Sequence, residues 1–221
     1  MNNPLSCRRA VVSQPARALV ERDTTHESTD WRMSLPVLTG RLVTLRELET
    51  ADAPALQAFL SAEEVARLIA PPPTVEGFER FIERMKLEQQ RGVYVCYAVV
   101  PHGQTAPVGL FQVHELEPAF RTAEWGFVLG SRYWGTGMFM DAARLVVDFA
   151  FDGLGVHRLE ARAALVNGRG NGALKKLGAV QEATLRRAFI CKGEHLDLAL
   201  WSILRSDWRS APAFGTRVRV H

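Results

Sequence analysis

Apolar residues recur along the first half of the chain with two different periods. Polar and apolar side chains alternate one by one over residues 39–47, which predicts a strand. Residues 51–62 and 74–91 instead repeat apolar side chains every three or four positions, which predicts two helices. Thr74 is placed to cap the second helix, and three prolines, 71–73, separate the two.

The second half of the chain alternates strands with helices. Four strand-length runs cover residues 94–100, 107–114, 124–129 and 157–163, the first two forming a hairpin around His102–Gly103. A helical period runs from Met138 to Ala150, and a short helix over residues 171–177 ends at Gly178. A last hairpin joins residues 180–190 to 195–204 at Lys192–Gly193. This order predicts an α/β (α+β) fold with a mixed, mostly antiparallel sheet and helices on both faces.

One stretch, residues 124–155, joins a strand to a helix through a glycine-rich loop. Gly135 and Gly137 have no Cβ, so another group can approach their backbone closely. The first N–H groups of the following helix lack intrahelical partners, and Arg132 adds a positive charge, so a pyrophosphate is a suitable ligand. A tight turn with no ligand is the alternative. The loop is not a P-loop, which requires Gly-Lys-Ser/Thr, nor a dinucleotide fingerprint, which requires a third glycine.

The loop sequence Arg132-Tyr-Trp-Gly135-Thr-Gly137 matches the Q/R-x-x-G-x-G/A signature and so resembles the GNAT acyltransferase superfamily. Within it, the chain is similar to the branch that acetylates N-terminal alanines of ribosomal proteins. The resemblance extends over residues 36–208. It is carried further by Leu38–Arg46 with Asp52, Phe149–Ala161 with His157 and Arg158, Asn167 with Leu174–Gly178, and Gly193–Asp197 with Trp201 and Trp208.

The resemblance implies acetyl-CoA as the acyl donor and no metal. It implies donor contacts from the strand end, the loop and the second cofactor segment: Phe127, Val128, Leu129, Arg132, Trp134, Gly135, Thr136, Gly137, Met138, Asn167 and Asn171. For Asn167 the alternative is an Asx turn that leads into the next helix.

Glu124 is the candidate general base, because family members often place a glutamate near the start of the strand before the loop. The alternative is an ion pair with a neighbouring arginine. His114 and Glu115 on the preceding strand are weaker candidates. An α-amine is about one-tenth neutral at pH 7 and a lysine amine about one in 2,500, so a weak base serves the first far better.

The chain departs from the family pattern at one position. The family usually has a serine three residues after the asparagine, proposed as the general acid for the leaving thiolate, and this chain has Gly170. Glycine has no side-chain proton to donate, so the sequence assigns no general acid.

Composition and charge bear on the number of domains, the compartment, and binding to membranes or nucleic acid. The 221 residues fit one domain, and no apolar run is long enough to span a membrane. The net charge of +3 comes from the ends, since residues 209–221 contribute +3 and residues 1–32 contribute +1. The near-neutral body argues against a nucleic-acid surface. Three scattered cysteines suggest neither disulfides nor zinc, so we expect a cytoplasmic protein.

We therefore expect a GNAT domain over residues 33–208, a disordered extension over residues 1–32 and a basic tail over residues 209–221. Met33 is an alternative start. The expected reaction is direct acetyl transfer in a ternary complex to a primary amine, preferentially a protein N-terminal α-amine. The alternatives are a small-molecule amine as acceptor and a non-catalytic acyl-CoA-binding module. The chain would act as a monomer or a homodimer.

Overall fold

The protein, in a computed structural model, is described over residues 30–66, 71–191 and 193–210. Most of the predicted extension and tail lies outside these ranges. Within them the strands form one sheet in the order β1-β2-β3-β4-β5-β6-β8-β7, antiparallel except where β5 pairs with β6. The strands are β1 Leu38–Thr39, β2 Val43–Glu47, β3 Tyr94–Pro101, β4 Gly109–Glu115, β5 Thr122–Leu129, β6 Arg158–Ala164, β7 Val180–Cys191 and β8 Glu194–Leu204.

Helices cover both faces of the sheet, as the apolar pattern predicts. They are α1 Ala53–Leu60, α2 Glu63–Ala66, α3 Val75–Gln90, α4 Met138–Asp152, α5 Gly168–Leu177 and α6 Arg205–Ser210. One core lies under α4 and α5, where Val146 and Leu174 pack with Trp125 of β5. The other lies between β3 and the helices α1 and α3, which contribute Leu56 and Ile82.

Two predicted elements differ from the structure. The predicted strand over residues 39–47 is two strands, because the chain turns between Thr39 and Val43 and the Gly40 N–H bonds the carbonyl of Val43 at 2.9 Å. The helix predicted over residues 171–177 begins earlier, at Gly168. The predicted cap of α3 is confirmed, since the Thr74 hydroxyl accepts the N–H of Gly77 at 3.1 Å.

Asp141 in the first turn of α4 holds the turn between β1 and β2. Its carboxylate accepts the backbone N–H groups of Arg41, Leu42 and Val43 at 3.1, 2.8 and 3.2 Å. A Cβ on Gly40 would lie 2.3 Å from Asp141 Oδ2, so only glycine allows this approach. The carboxylate thus ties the start of the sheet to the helix that follows the glycine loop.

We expect Asp141→Ala to lower the free energy of unfolding by about 2–3 kcal/mol, since it leaves backbone donors without their charged acceptor. Urea denaturation measures the loss. Asp152→Ala on the same helix is the matched control, because among the described residues the Asp152 side chain makes only exposed ion pairs, with Arg205 and Arg209. Its loss should cost no more than about 1 kcal/mol. Equal losses in the two variants would contradict the clamp.

Candidate active site

A cleft opens in the sheet where β5 and β6 separate. The two strands pair at Thr122–Arg158, Ala123–Leu159 and Glu124–Glu160, although both continue further, to Leu129 and Ala164. Beyond Glu124 the edge of β5 that faces β6 therefore has no strand partner there. Such a backbone edge can hydrogen-bond an extended ligand.

At the ends of the two separated strands, the backbone carbonyl groups accept hydrogen bonds from side chains. The Trp134 indole Nε1 donates to the carbonyl of Leu129 at 2.9 Å. On the other side the Asn171 Nδ2 donates to the carbonyl of Ala164, also at 2.9 Å. These bonds satisfy the strand ends without closing the gap between them.

The cleft holds a cavity of about 660 Å³. Of the eleven predicted donor-contact residues, seven line it: Phe127, Val128, Leu129, Trp134, Gly135, Gly137 and Asn167. The others, Arg132, Thr136, Met138 and Asn171, are not among its lining residues. Sequence reasoning missed the basic side chains of Arg169 and Lys176, which line the α5 wall.

The glycine loop ends at the first turn of α4, beside the cavity. Gly135 and Gly137 have φ angles of 77° and 89°, values that side chains other than glycine rarely adopt. The Thr136 hydroxyl donates to the carbonyl of Tyr133 at 2.7 Å and so braces the loop. A Cβ on Gly135 would contact nothing within 4 Å, so the backbone there is open to a ligand. The first turn of α4 adds N–H groups that have no acceptor within the helix, although that of Met138 bonds the Thr136 hydroxyl at 3.4 Å. A loop and helix start of this kind suit a pyrophosphate.

The α5 wall begins with Asn167, which caps the helix. Its Oδ1 accepts the N–H of Gly170 at 2.9 Å, as in the Asx-turn alternative. A Cβ on Gly170 would lie 2.5 Å from Asn167 Nδ2, so a serine at position 170 does not fit this side-chain conformation.

Asn171 has its polar atoms occupied within the fold. Besides Ala164, its Nδ2 bonds the carbonyl of Asn167, and its Oδ1 accepts the Trp201 indole N–H, both at 2.9 Å. The two bonds from Nδ2 use both amide hydrogens of Asn171, so in this conformation its side chain has no donor left for the predicted cofactor contact.

Glu124 lies where β5 and β6 separate, on the sheet face that also carries α1 and α3. Its Oε2 accepts a hydrogen bond from Arg162 and lies 3.9 Å from the His114 Nε2. The ion pair that sequence reasoning kept as the alternative is therefore present. Its partner was not identified, although the alternating charges Arg158, Glu160 and Arg162 on β6 were a signal that they share one face.

Glu124 belongs to a row of charges that crosses the sheet. Arg162 also approaches Glu160 at 3.5 Å, Arg158 bonds Glu160 at 2.8 Å, and Arg158 pairs with Glu182 through two hydrogen bonds. Hydrogen bonds from Arg158 and from Ser202 lower the pKa of the Glu182 carboxyl to about 2. These side chains keep between 13% and 37% of their exposure, so the row is accessible.

A neutral pair lies beside Glu124 on the same face. The Tyr94 hydroxyl donates to the Gln112 Oε1 at 2.5 Å, and the Tyr94 ring stacks on His114 with centroids 6.2 Å apart. Burial raises the pKa of Tyr94, so it stays a neutral donor. Gln112 lies over Gly126, where a Cβ would approach its Nε2 to 3.0 Å. These contacts hold His114 next to Glu124.

Residues 42–180 match the family model of the acetyltransferase (GNAT) domain. The chain is 25% identical over 168 residues to the uncharacterized N-acetyltransferase p20 of Bacillus licheniformis, covering 75% of this chain and 94% of that protein. It superimposes on Mycobacterium smegmatis RimJ in complex with CoA-disulfide with a TM-score of 0.71 at 20% identity, over 80% and 90% of the two chains. The ribosomal-protein-S5-alanine acetyltransferase of Vibrio fischeri gives a TM-score of 0.70 at 20% identity, over 80% and 100%. At these two identities the likeness shows the fold.

Neither a metal site nor a membrane span is present in the described ranges. Residues 30–66, 71–191 and 193–210 contain no group of three or more His, Cys, Asp or Glu side chains that could hold a metal ion. No helix in that part of the chain has the length and apolar character needed to cross a membrane.

We expect Gly137→Val to weaken acetyl-CoA binding roughly tenfold or more, because the left-handed backbone becomes strained and the loop must change shape. Isothermal titration calorimetry measures the affinity. Gly103→Val is the matched control, since Gly103 has a φ of 78° in the β3–β4 turn. A Cβ there would meet nothing within 4 Å, and a Cβ on Gly137 would make one ordinary contact, with Leu42 Cδ1 at 3.4 Å. Both variants should lose about 1–3 kcal/mol of stability, but only Gly137→Val should lose affinity. Unchanged binding in folded Gly137→Val would refute the assignment of the loop.

Proposed function

The chain belongs to the GNAT acetyltransferase family, and we propose that it transfers the acetyl group of acetyl-CoA directly to the α-amine at the N-terminus of a protein. As a member of this family it is an acetyl-CoA-dependent acyltransferase. The donor, when bound, supplies an acetyl thioester. The protein's own residues have to bind that donor, place an amine beside it and take up a proton.

The two ends of the cleft support different tasks. The glycine loop and the start of α4 offer backbone N–H groups to the diphosphate of the donor. The free edge of β5 from Gly126 to Leu129 offers backbone groups to an extended arm. Holding donor and acceptor together in this way can supply on the order of 7–11 kcal/mol of the barrier in favourable cases.

The charge row around Glu124 is the observation that carries the choice of acceptor. It combines three carboxylates, Glu124, Glu160 and Glu182, with two guanidinium groups, Arg158 and Arg162, which leaves one net negative charge. One excess charge suits one protonated amine. A polyamine carries several positive charges, and the two arginines already occupy the carboxylates that would bind them. A single α-amine therefore fits this face better than a small polycation does.

Glu124 and His114 are the groups that can take the proton of the amine. Arg162 fixes Glu124 Oε2 from one side, and His114 Nε2 approaches the same oxygen from the other at 3.9 Å. An α-amine is already about one-tenth neutral at pH 7, so a modest acceptor is sufficient. A lysine amine would need a stronger base.

The departing sulfur receives no proton from position 170. Gly170 has no side chain, and the Cβ of a serine there would clash with Asn167. The same wall of the cavity holds Asn167 and the first residues of α5, Gly168 to Gly170. Amide donors and the positive end of a helix favour an anion, so this wall suits departure of an unprotonated thiolate.

A peptide series tests the acceptor. One peptide has a free N-terminus and blocked lysines, and a second has a blocked N-terminus and free lysines. Spermidine serves as the small-molecule acceptor. We expect mass spectrometry to find acetyl transfer to the first alone. Preferential transfer to lysine or to spermidine would contradict the acceptor assignment. Donor binding with no transfer to any acceptor would favour the non-catalytic acyl-CoA-binding alternative.

We expect Glu124→Gln to lower kcat by about 10²–10⁴, the usual effect of removing a general base, while the Kd for acetyl-CoA stays within about twofold. Steady-state kinetics and calorimetry give the two quantities. Glu117→Gln is the matched control, because Glu117 is exposed and bonds only the Thr122 hydroxyl in the described structure. Full turnover in Glu124→Gln would remove Glu124 from the mechanism, and loss of donor binding would give it a structural role.

A further inference from the structure

One face of α5 lines the cleft beyond the glycine loop. Besides Gly168 and Gly170 in its first turn, its cavity-lining residues are Arg169, Gly172, Ala173 and Lys176, spaced three or four positions apart and so on one side of the helix. Opposite them the cavity is lined by Phe139 and Met140 of the first turn of α4. The cleft thus continues as a groove between two helices, with a cation at each end of the α5 wall.

The middle of this wall is kept open by small residues. A Cβ on Gly172 would meet nothing within 4 Å, and its neighbour in the wall is Ala173. A large flat group can therefore lie between the two cations. Because α5 rises 1.5 Å per residue, the backbones at Arg169 and Lys176 are about 10 Å apart along the helix axis.

The two cations have different surroundings. The Arg169 guanidinium carbon lies 4.7 Å from the centroid of the Trp134 ring, so Arg169 stacks across the mouth of the cleft. Lys176 is exposed and forms no ion pair with any residue in the described ranges. It is the cation free to meet an anionic ligand.

A purely structural role in α5 does not explain why Lys176 faces the cavity. A lysine in the last turn of a helix interacts favourably with the helix dipole, and Lys175 and Lys176 both lie in the last turn of α5. Lys175 would serve the dipole equally well. Only Lys176 lines the cavity, so its orientation carries information that its place in the helix does not.

We propose that Lys176 binds the ribose 3′-phosphate of the acyl donor and makes the protein select coenzyme A over its 3′-dephospho form. This rests on the proposed donor, which carries a diphosphate in its linker and a separate phosphate on the ribose. The glycine loop takes the diphosphate. The 3′-phosphate, on the same ribose that carries the diphosphate at its 5′ position, then needs a second cation further along the groove, and the adenine needs an open stretch of wall. Lys176 provides the cation, and Gly172 and Ala173 provide the open wall. A phosphate carries close to two negative charges, for which lysine acts as a point charge.

The test removes the 3′-phosphate from the ligand and the lysine side chain from the protein, separately and together. Calorimetry measures the binding affinity in each case, so the result does not depend on turnover. Coenzyme A and 3′-dephospho-coenzyme A are titrated into the full chain and into Lys176→Ala, Lys176→Arg and Lys175→Ala. We expect the full chain to bind coenzyme A about tenfold more tightly than the dephospho form, the scale of one charge-assisted contact. Lys176→Ala should lose this preference through weaker binding of coenzyme A alone. Lys176→Arg should keep it, and Lys175→Ala should match the unchanged chain.

Each other outcome overturns a specific statement. Equal affinity of the unchanged chain for both ligands, or a Lys176→Ala variant that weakens both alike, removes Lys176 from phosphate recognition and leaves acetyl transfer untouched. A Lys175→Ala effect equal to that of Lys176→Ala would show a general charge effect of α5 instead of a contact. Binding of neither ligand would overturn the proposed donor itself.

Discussion

The candidate site of this protein depends on one interruption in its sheet, where the parallel pairing of β5 and β6 stops at Glu124 and Glu160. Both strands are held on their outer sides, β5 by β4 from Ala123 to Leu129 and β6 by β8 along its whole length. Neither can shift toward the other without breaking these ladders. The gap is therefore a fixed part of the fold, and the backbone that it exposes has to bond water or a ligand.

Hydrogen bonds at two places hold the residues around this gap in position. Where β5 and β6 end, the side chains of Trp134 and Asn171 donate to the carbonyls of Leu129 and Ala164, so each strand end is satisfied on its own side. After the glycine loop, Asp141 accepts hydrogen bonds from three N–H groups of the β1–β2 turn and so fixes the first turn of α4 against the sheet. The Asp141 carboxylate, which by its position alone would only stabilise the start of α4, thus connects β1 and β2 to the helix that follows the glycine loop.

Features carried by neighbouring residues could be predicted from the sequence, and those that depend on strand register could not. The glycine loop, the caps and the position of Glu124 before the loop are local, and their residues suffice to predict them. The contact between Glu124 and Arg162 joins residues that are 38 positions apart and exists only because Glu124 and Glu160 are paired. The turn at Gly40 was missed because its cause is Asp141, about 100 residues away. Likewise Lys175 and Lys176 are indistinguishable in sequence until the helix rotation is known.

The distribution of charge between the two sides of the cleft gives the site a direction. Lys176, Arg169 and the N-terminal end of α4 provide positive charge on the side lined by the two helices. On the opposite face the two arginines of β6 pair with the three carboxylates of the charge row, whose five side chains together carry one net negative charge. In the proposed reaction, the positive side attracts the phosphate groups of the donor, and the side of the charge row attracts the protonated amine of the acceptor. Arg158 and Arg162 limit the charge row to about one negative charge, and under the proposed function the ion pairs that brace the sheet therefore also restrict the acceptor.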